Sequence, residues 1–150
     1  MQKPLDLARS QEISLAIKSK ADDCFDNAYK AALLLETATY VQGFLVLAGE
    51  PAPIEYAWIE LDNSLIDPTF SYLNKEAQQV YYFEAQRLNL KKLKAAIEEA
   101  KEDYPEDPPL PIYGDAPYAY YGDVMLGGES YRLAHEDAIA KCSELISDRN

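Results

Sequence analysis

One segment near the middle of the chain constrains the fold more than any other part of the sequence. Positions 54–61 read Ile-Glu-Tyr-Ala-Trp-Ile-Glu-Leu, a run rich in β-branched and aromatic side chains that is typical of a buried strand. Asp62 and Asn63 suit a two-residue turn, after which the chain can return as a second strand. Pro68 cannot donate a hydrogen bond to a sheet, so pairing is expected to end close to Asp67. The sequence therefore predicts a β-hairpin.

The register of this hairpin brings three side chains to one side. With a two-residue loop, Ile59 pairs with Ile66, and Trp58 pairs with Asp67. Because side chains alternate along a strand, Tyr56, Trp58 and Asp67 are expected on the same face, with Asp67 diagonal to Tyr56 at roughly 7–8 Å between backbones. Long side chains can meet across that gap.

Helical periodicity dominates the sequence on both sides of the hairpin. Helices are predicted at residues 10–20, from about Cys24 to 36, at 88–103 and from about 130 to 147, with a further short helix at 75–83 and one more strand at 40–47. In the last helix, His135, Ile139, Cys142 and Ile146 share a stripe. The fold class expected is α+β: a Cys-bearing helix packed on a small antiparallel sheet, with additional C-terminal helices. The 150 residues match the common size of a single domain, so one domain is expected over residues 1–150.

Charge and composition narrow the range of partners. The chain has 26 acidic and 14 basic residues, for a net charge of -12, and such a surface repels nucleic-acid phosphates and anionic lipid heads. No apolar run reaches the length of a signal peptide or of a membrane span. We therefore expect a cytoplasmic protein that binds neither nucleic acid nor membrane, with Cys24 and Cys142 as free thiols. A single histidine, His135, and the lack of a Cys/His cluster predict no metal and no cofactor.

Four short motifs, in this order and at this spacing, resemble the core of the transglutaminase-like branch of the papain-like cysteine enzymes. They are Cys24-Phe25-Asp26-Asn27-Ala28 at a helix start, Tyr40-Val41-Gln42-Gly43-Phe44 in a strand, Tyr56-Ala57-Trp58-Ile59-Glu60 in the next strand, and Ile66-Asp67-Pro68-Thr69 after the turn. The resemblance covers about residues 22–69, which is under a third of the chain. It implies a papain-like fold.

The resemblance also implies a catalytic triad, in which a cysteine thiolate attacks an acyl carbon, a histidine transfers the proton and an aspartate orients the histidine. By position, Cys24 takes the place of the nucleophile and Asp67 that of the orienting acid. The histidine position holds Tyr56. A phenol titrates near pH 10 and cannot become a cation beside the sulfur, so the triad is expected to be degenerate.

Nearby negative charge is expected to lower the reactivity of the Cys24 thiol further. Asp22, Asp23 and Asp26 surround Cys24 in the sequence, and negative charges raise the pKa of a thiol. Each triad position also has a structural interpretation: Cys24 as a small core residue, Tyr56 as a packed aromatic residue, and Asp67 as a turn residue before proline.

The resulting hypothesis is a pseudoenzyme: a catalytically impaired relative of transglutaminase-like cysteine hydrolases that binds a protein or peptide in the former cleft. Its expected binding surface comprises Trp58 and the tyrosines of a proline-rich extended loop at 105–123, namely Tyr113, Tyr118, Tyr120 and Tyr121. One alternative is an active cysteine hydrolase, amidase or deamidase with Cys24 as nucleophile and a non-standard base such as His135. Another is a structural or inhibitory assembly protein with an acidic surface.

Overall fold

The computed structural model describes residues 3–106, 108–110, 119–121, 124–126 and 128–147, with the backbone alone for 119–121, 124–126 and residue 128. Within these residues the α-helices are α1 (Leu7–Ile17), α2 (Cys24–Leu34), α3 (Leu90–Asp103) and α4 (Gly128–Ser147). The strands are β1 (Thr39–Leu47), β2 (Ile54–Leu61), β3 (Ser64–Ile66), β4 (Val80–Leu88), β5 (Ala119–Tyr121) and β6 (Val124–Leu126). The first four strands form one antiparallel sheet, and β5 and β6 form a second, small one. The predicted α+β class is confirmed.

The hairpin of β2 and β3 has the register that the sequence predicts. Ile59 pairs with Ile66, and the turn residues Asp62 and Asn63 have φ values of 52° and 66°. Positive φ at both turn positions is the conformation that matches the twist of a two-residue hairpin, and Asp and Asn tolerate it better than most residues. Local chemistry thus fixes this part of the sheet.

The region predicted as a short helix at 75–83 is instead a strand, and that prediction is wrong. A 3₁₀ turn at Ala77–Gln79 leads directly into β4, which pairs with β1 at the edge of the sheet in the strand order β3-β2-β1-β4. The aromatic run at the start of β4 suits a pleated surface, because alternate rings can pack on opposite faces. The loop predicted at 105–123 likewise contains a short strand, β5.

Helix α4 packs on the sheet through a stripe that shares Cys142 with the predicted one but not Ile139 or Ile146. Ile139 and Ile146 are 45% and 43% exposed, whereas the buried positions of the helix are Tyr131, Ala134, Ala138 and Cys142. The sheet supplies large side chains at this contact, Phe44, Tyr81 and Phe83 among them. Small alanines on the helix therefore let it approach closely, and the larger isoleucines stay outside.

The two faces of the sheet bury different clusters. One face carries Tyr40, Ala57 and Ile59 and packs on α1, α2 and α3. The other face carries Val41, Leu45, Tyr56, Trp58 and Tyr82, together with Leu65 and Val80. Cys24, at the start of α2, packs against this second cluster, so the triad positions predicted from the sequence meet there.

Candidate functional site

Helix α2 begins at Cys24, as the sequence predicts. The thiol is half-buried and packs against the cluster that contains Tyr56 and Trp58. Asp23 occupies the N-cap position but makes no side-chain capping hydrogen bond. The sulfur therefore lies at a helix N-terminus, beside the hairpin.

The surroundings of Cys24 favour the neutral thiol. Burial raises its pKa from the ordinary 9.0 to about 12, although the backbone N–H groups of Ala57 and Phe25 act in the opposite direction. The negative charges of Asp67 and Asp23 raise the pKa further. At neutral pH the sulfur is thus almost entirely protonated, and a protonated thiol is a poor nucleophile.

Asp67 is buried and accepts hydrogen bonds from two phenols. Tyr56 donates to both carboxylate oxygens, at 3.0 Å to Oδ1 and 2.9 Å to Oδ2. Tyr82 donates to Oδ2 at 2.7 Å, and the backbone N–H of Thr69 donates to Oδ1 at 2.9 Å. The structure thus brings Tyr56 and Asp67 together, as the predicted register requires, and adds Tyr82.

Burial dominates the electrostatics of this cluster. It raises the pKa of Asp67 from 3.8 to about 6, even though hydrogen bonds from Tyr82, Thr69 and Tyr56 lower it. Burial and then the charge of Asp67 also raise the pKa of each phenol well above 10. Both tyrosines are therefore neutral hydrogen-bond donors, and neither can act as a base toward the sulfur at neutral pH.

Tyr82 is the residue of this cluster that the sequence-based prediction missed. The sequence predicts a helix at 75–83, whereas strand β4 directs Tyr82 to the same face as Tyr56 and Trp58, at 6.4 Å and 5.0 Å between ring centroids. The available signal was the strand-prone sequence Val80-Tyr81-Tyr82-Phe83.

Two polar contacts hold the Asp67 segment in place. Ser10 on α1 accepts the backbone N–H of Asp67 at 2.9 Å and donates to the carbonyl of Asp6 at 2.7 Å. Asn27 on α2 donates to Thr69 Oγ1 at 3.0 Å. Helices α1 and α2 are thereby both tied to the loop that follows the hairpin.

Replacing Asn27 by alanine is expected to lower the free energy of unfolding by roughly 2–3 kcal/mol, because buried polar groups lose their partner. Asn27 is buried, accepts from the Lys20 N–H at 3.0 Å and donates to the Lys20 carbonyl at 2.8 Å, besides its bond to Thr69. Urea denaturation measures the change. The control is Asn89→Ala, which removes one exposed capping bond to the Lys92 N–H and should cost about 1 kcal/mol. Equal losses in the two variants would contradict the expectation.

Trp58 belongs to the buried cluster and does not form the exposed binding surface that the sequence predicts. Trp58 is only 1% exposed, so its side chain is not part of an exposed binding surface. Tyr113 and Tyr118 lie outside the described residues, and Tyr120 and Tyr121 are described only as backbone of β5.

His135 packs on α4 against the ring of Phe44, at 5.1 Å between centroids. Burial lowers the pKa of His135, and His135 is not among the groups that shift the pKa of Cys24. The structure therefore gives no support to His135 as a base for the thiol.

A cavity of about 530 Å³ lies beside this cluster. Its lining includes Trp58 and Tyr82 but neither Cys24 nor Asp67, and its charged residues include Lys3, Glu60 and Asp137. The indole Nε1 of Trp58 is buried and has no hydrogen-bond partner among the described residues. Since that nitrogen is inaccessible to solvent, the cavity does not present it to a ligand.

The described part of the chain contains no group of three or more His, Cys, Asp and Glu side chains arranged to hold a metal ion. None of its helices combines the length and the apolar character that crossing a membrane requires.

At neutral pH the site holds a protonated thiol, two neutral phenols and a buried carboxylate.

Comparison of the chain with protein-family models, with curated proteins and with solved structures found no match.

Proposed function

We propose that this chain is a catalytically impaired relative of the transglutaminase-like, papain-like cysteine hydrolases and that it acts by binding a protein or peptide. The observation that carries the proposal is the hydrogen bonding of Asp67: where the family has an aspartate that orients a histidine, this aspartate accepts Tyr56 and Tyr82. The two free thiols, Cys24 and Cys142, fit a reducing compartment, and we place the protein in the cytoplasm.

The thiol chemistry supports the loss of catalysis. A cysteine hydrolase needs a thiolate and a group that transfers its proton, whereas the pKa of Cys24 is raised to about 12 and the charged groups that act on it are carboxylates. An active hydrolase would need a base within hydrogen-bond reach of the sulfur, and Tyr56 directs its proton to Asp67 instead. This disfavours the alternative of an active enzyme.

The net charge supports binding to a basic partner. At -12, the protein attracts positively charged surfaces and speeds their association. The same charge favours a second candidate function, a structural or inhibitory assembly protein that uses its acidic surface. The two differ in what is bound: the first also binds the isolated peptide segment of a protein, whereas the second binds only a folded partner or further copies of itself.

The catalytic half of the proposal predicts that Cys24 contributes nothing to acyl transfer. The intact protein and Cys24→Ala are incubated with an activated p-nitrophenyl ester and with a glutamine-containing peptide amide. The expected rates are equal for the two proteins, because neither has a thiolate to attack the substrate. Turnover that disappears in Cys24→Ala would overturn the proposal and establish the active hydrolase.

The binding half is tested by selecting ligands for the immobilised protein from a random peptide-display library. We expect peptides rich in Lys and Arg, with affinities that fall as salt is raised from 50 to 500 mM, since salt screens exposed charges (the Debye length is about 10 Å at 0.1 M). Binding should be unchanged in Cys24→Ala. Failure to select any peptide, together with a stable oligomer in sedimentation, would favour the assembly protein instead.

A further inference from the structure

Asp67 is a buried carboxylate with no basic partner in the described part of the chain. Only 1% of the residue is exposed, and no ion pair found among the described residues includes it. Glu60, the other buried acid among the residues with described side chains, differs in having Lys3 at 2.5 Å and Arg87 at 2.8 Å. Burying an unpaired charge is costly, and a carboxylate in that position tends to bind a proton instead.

The contacts of Asp67 reach five parts of the fold. Its side chain accepts from Tyr56 on β2 and Tyr82 on β4, and its backbone donates to Ser10 on α1. It also accepts from Thr69 in the following loop, which Asn27 joins to α2. A change in the charge of Asp67 therefore acts where strands, helices and loop meet.

Among the described residues, the titratable groups that face Asp67 are all neutral near pH 6. Tyr56 faces it from β2, Tyr82 from β4 and Cys24 from α2, while Ser10 and Thr69 contribute no titratable group. At the start of α2, Asp23 is a further charged residue, and its charge acts on Cys24. In this cluster Asp67 alone can change its charge in mildly acidic solution.

We infer that Asp67 is a proton-operated switch that sets how tightly β2, β4 and the loop after the hairpin are held together. When ionised, it accepts both phenols and the Thr69 N–H. A proton taken from solvent binds Oδ2, because Oδ1 faces the Thr69 N–H, which can only donate. The Tyr82 oxygen then accepts from the new carboxylic O–H, so Tyr82 changes from a donor to an acceptor at Asp67.

The direction of the pH effect follows from the raised pKa. The folded chain binds the proton at Asp67 with a pKa of about 6, above the ordinary 3.8, so protonation favours the folded state. This stabilisation is fully present below pH 3.8, the ordinary pKa of the carboxyl group. It is lost as the pH rises through the pKa of the folded state, which is about 6. The fold is thus expected to be tighter in mildly acidic solution and looser at neutral pH.

This inference goes beyond the proposed function and does not depend on it. It concerns the proton affinity of one carboxyl group, and its tests measure protonation and stability. The function is tested by turnover and by peptide binding, so each can fail while the other stands.

The first test uses the unaltered protein, with carbon-13 NMR of the Asp67 carboxyl carbon and the Tyr82 Cζ between pH 3 and 8. Both signals are expected to titrate with one midpoint close to the predicted pKa of about 6, because the phenol changes its hydrogen bond when the carboxyl group is protonated. The Tyr81 Cζ, on the opposite face of the same strand, should not follow. A carboxyl midpoint near the ordinary 3.8 would overturn the inference.

The second test compares variants. Relative to Asp67→Asn, the folding equilibrium constant of the unaltered protein should fall roughly 50-fold between pH 4 and pH 7, from the two pKa values and their linkage to stability. Tyr82→Phe should raise the carboxyl midpoint further, since it removes a donor that stabilises the carboxylate. Tyr81→Phe should leave the midpoint unchanged. An identical pH profile for the unaltered protein and Asp67→Asn, or no shift in Tyr82→Phe, would refute the switch.

Discussion

Iodoacetamide is expected to alkylate Cys24 of the folded protein at pH 7.5 roughly 50-fold more slowly than the same cysteine in the urea-unfolded chain. The raised pKa, about 12 against 9.0, lowers the thiolate fraction about 1,000-fold at this pH. A more basic thiolate is also a better nucleophile. An increase of three pKa units raises the rate constant of the thiolate roughly 20-fold, which offsets part of that loss. The thiolate fraction therefore outweighs the gain in nucleophilicity, and partial burial adds to the protection.

Peptide-resolved mass spectrometry of a Cys142→Ser variant measures this rate for Cys24 alone. The rate in the folded state should continue to rise above pH 9, where the rate of the unfolded chain levels off. Asp67→Asn serves as the matched variant, because it removes a negative charge that raises the pKa of Cys24 and should speed alkylation. Rapid labelling of folded Cys24 at neutral pH would mean that the sulfur is a thiolate, and the case for a lost activity would fail.

The aspartate that suggests an enzyme family has the opposite electrostatic effect on the thiol in this chain. In the family that the motifs resemble, the aspartate supports a cation beside the sulfur. Here no cation among the described residues pairs with Asp67, and the charge of Asp67 disfavours the thiolate of Cys24. A histidine substituted at position 56 would not by itself reverse this, because Tyr82 would still donate to Asp67 and an imidazole is shorter than the phenol it replaces.

Local rules made the hairpin predictable from the sequence. Two turn residues that tolerate positive φ fix the register, and alternation then places Tyr56 and Asp67 on one face. The start of α2 at Cys24 is likewise determined by nearby residues, because acidic residues that favour a helix start precede an alanine-rich stripe. These elements depend on neighbours within a few residues.

The parts that the sequence did not reveal depend on distant contacts. Strand β4 forms by pairing with β1, and the strand-prone run at Tyr81-Tyr82-Phe83 is too short to exclude a helix before that partner is known. The buried stripe of α4 is set by the bulky rings of the sheet beneath it. The raised pKa of Asp67 depends on burial by several elements at once, which spacing along the chain does not report.

Gly43 lies on β1 between the strand that carries Tyr56 and the strand that carries Tyr82. It lies opposite Tyr56 on β2 and opposite Glu84 on β4, and the β1–β4 register shifts between Gln42 and Gly43. A Cβ atom at Gly43 would lie 2.0 Å from the carbonyl oxygen of Phe83. This close approach of the two backbones is what a glycine inside a strand often marks, and it keeps Tyr82 on the face that reaches Asp67.

Gly43→Ala is therefore expected to destabilise the protein by about 3 kcal/mol or more, at the upper end for an overpacked core position. The atoms nearest to the added methyl group, Phe83 O, Ala85 N and Glu84 Cα, all belong to the backbone, so no side chain can rotate away and β4 must separate from β1. Urea denaturation followed by the fluorescence of Trp58, the single tryptophan, measures the loss. Gly49→Ala is the control: its φ of 95° makes an alanine strained without a steric clash in the sheet, at about 1–2 kcal/mol. A Gly43→Ala variant no less stable than Gly49→Ala would show that β4 does not need this close contact, and the placement of Tyr82 on Asp67 would lose its structural basis.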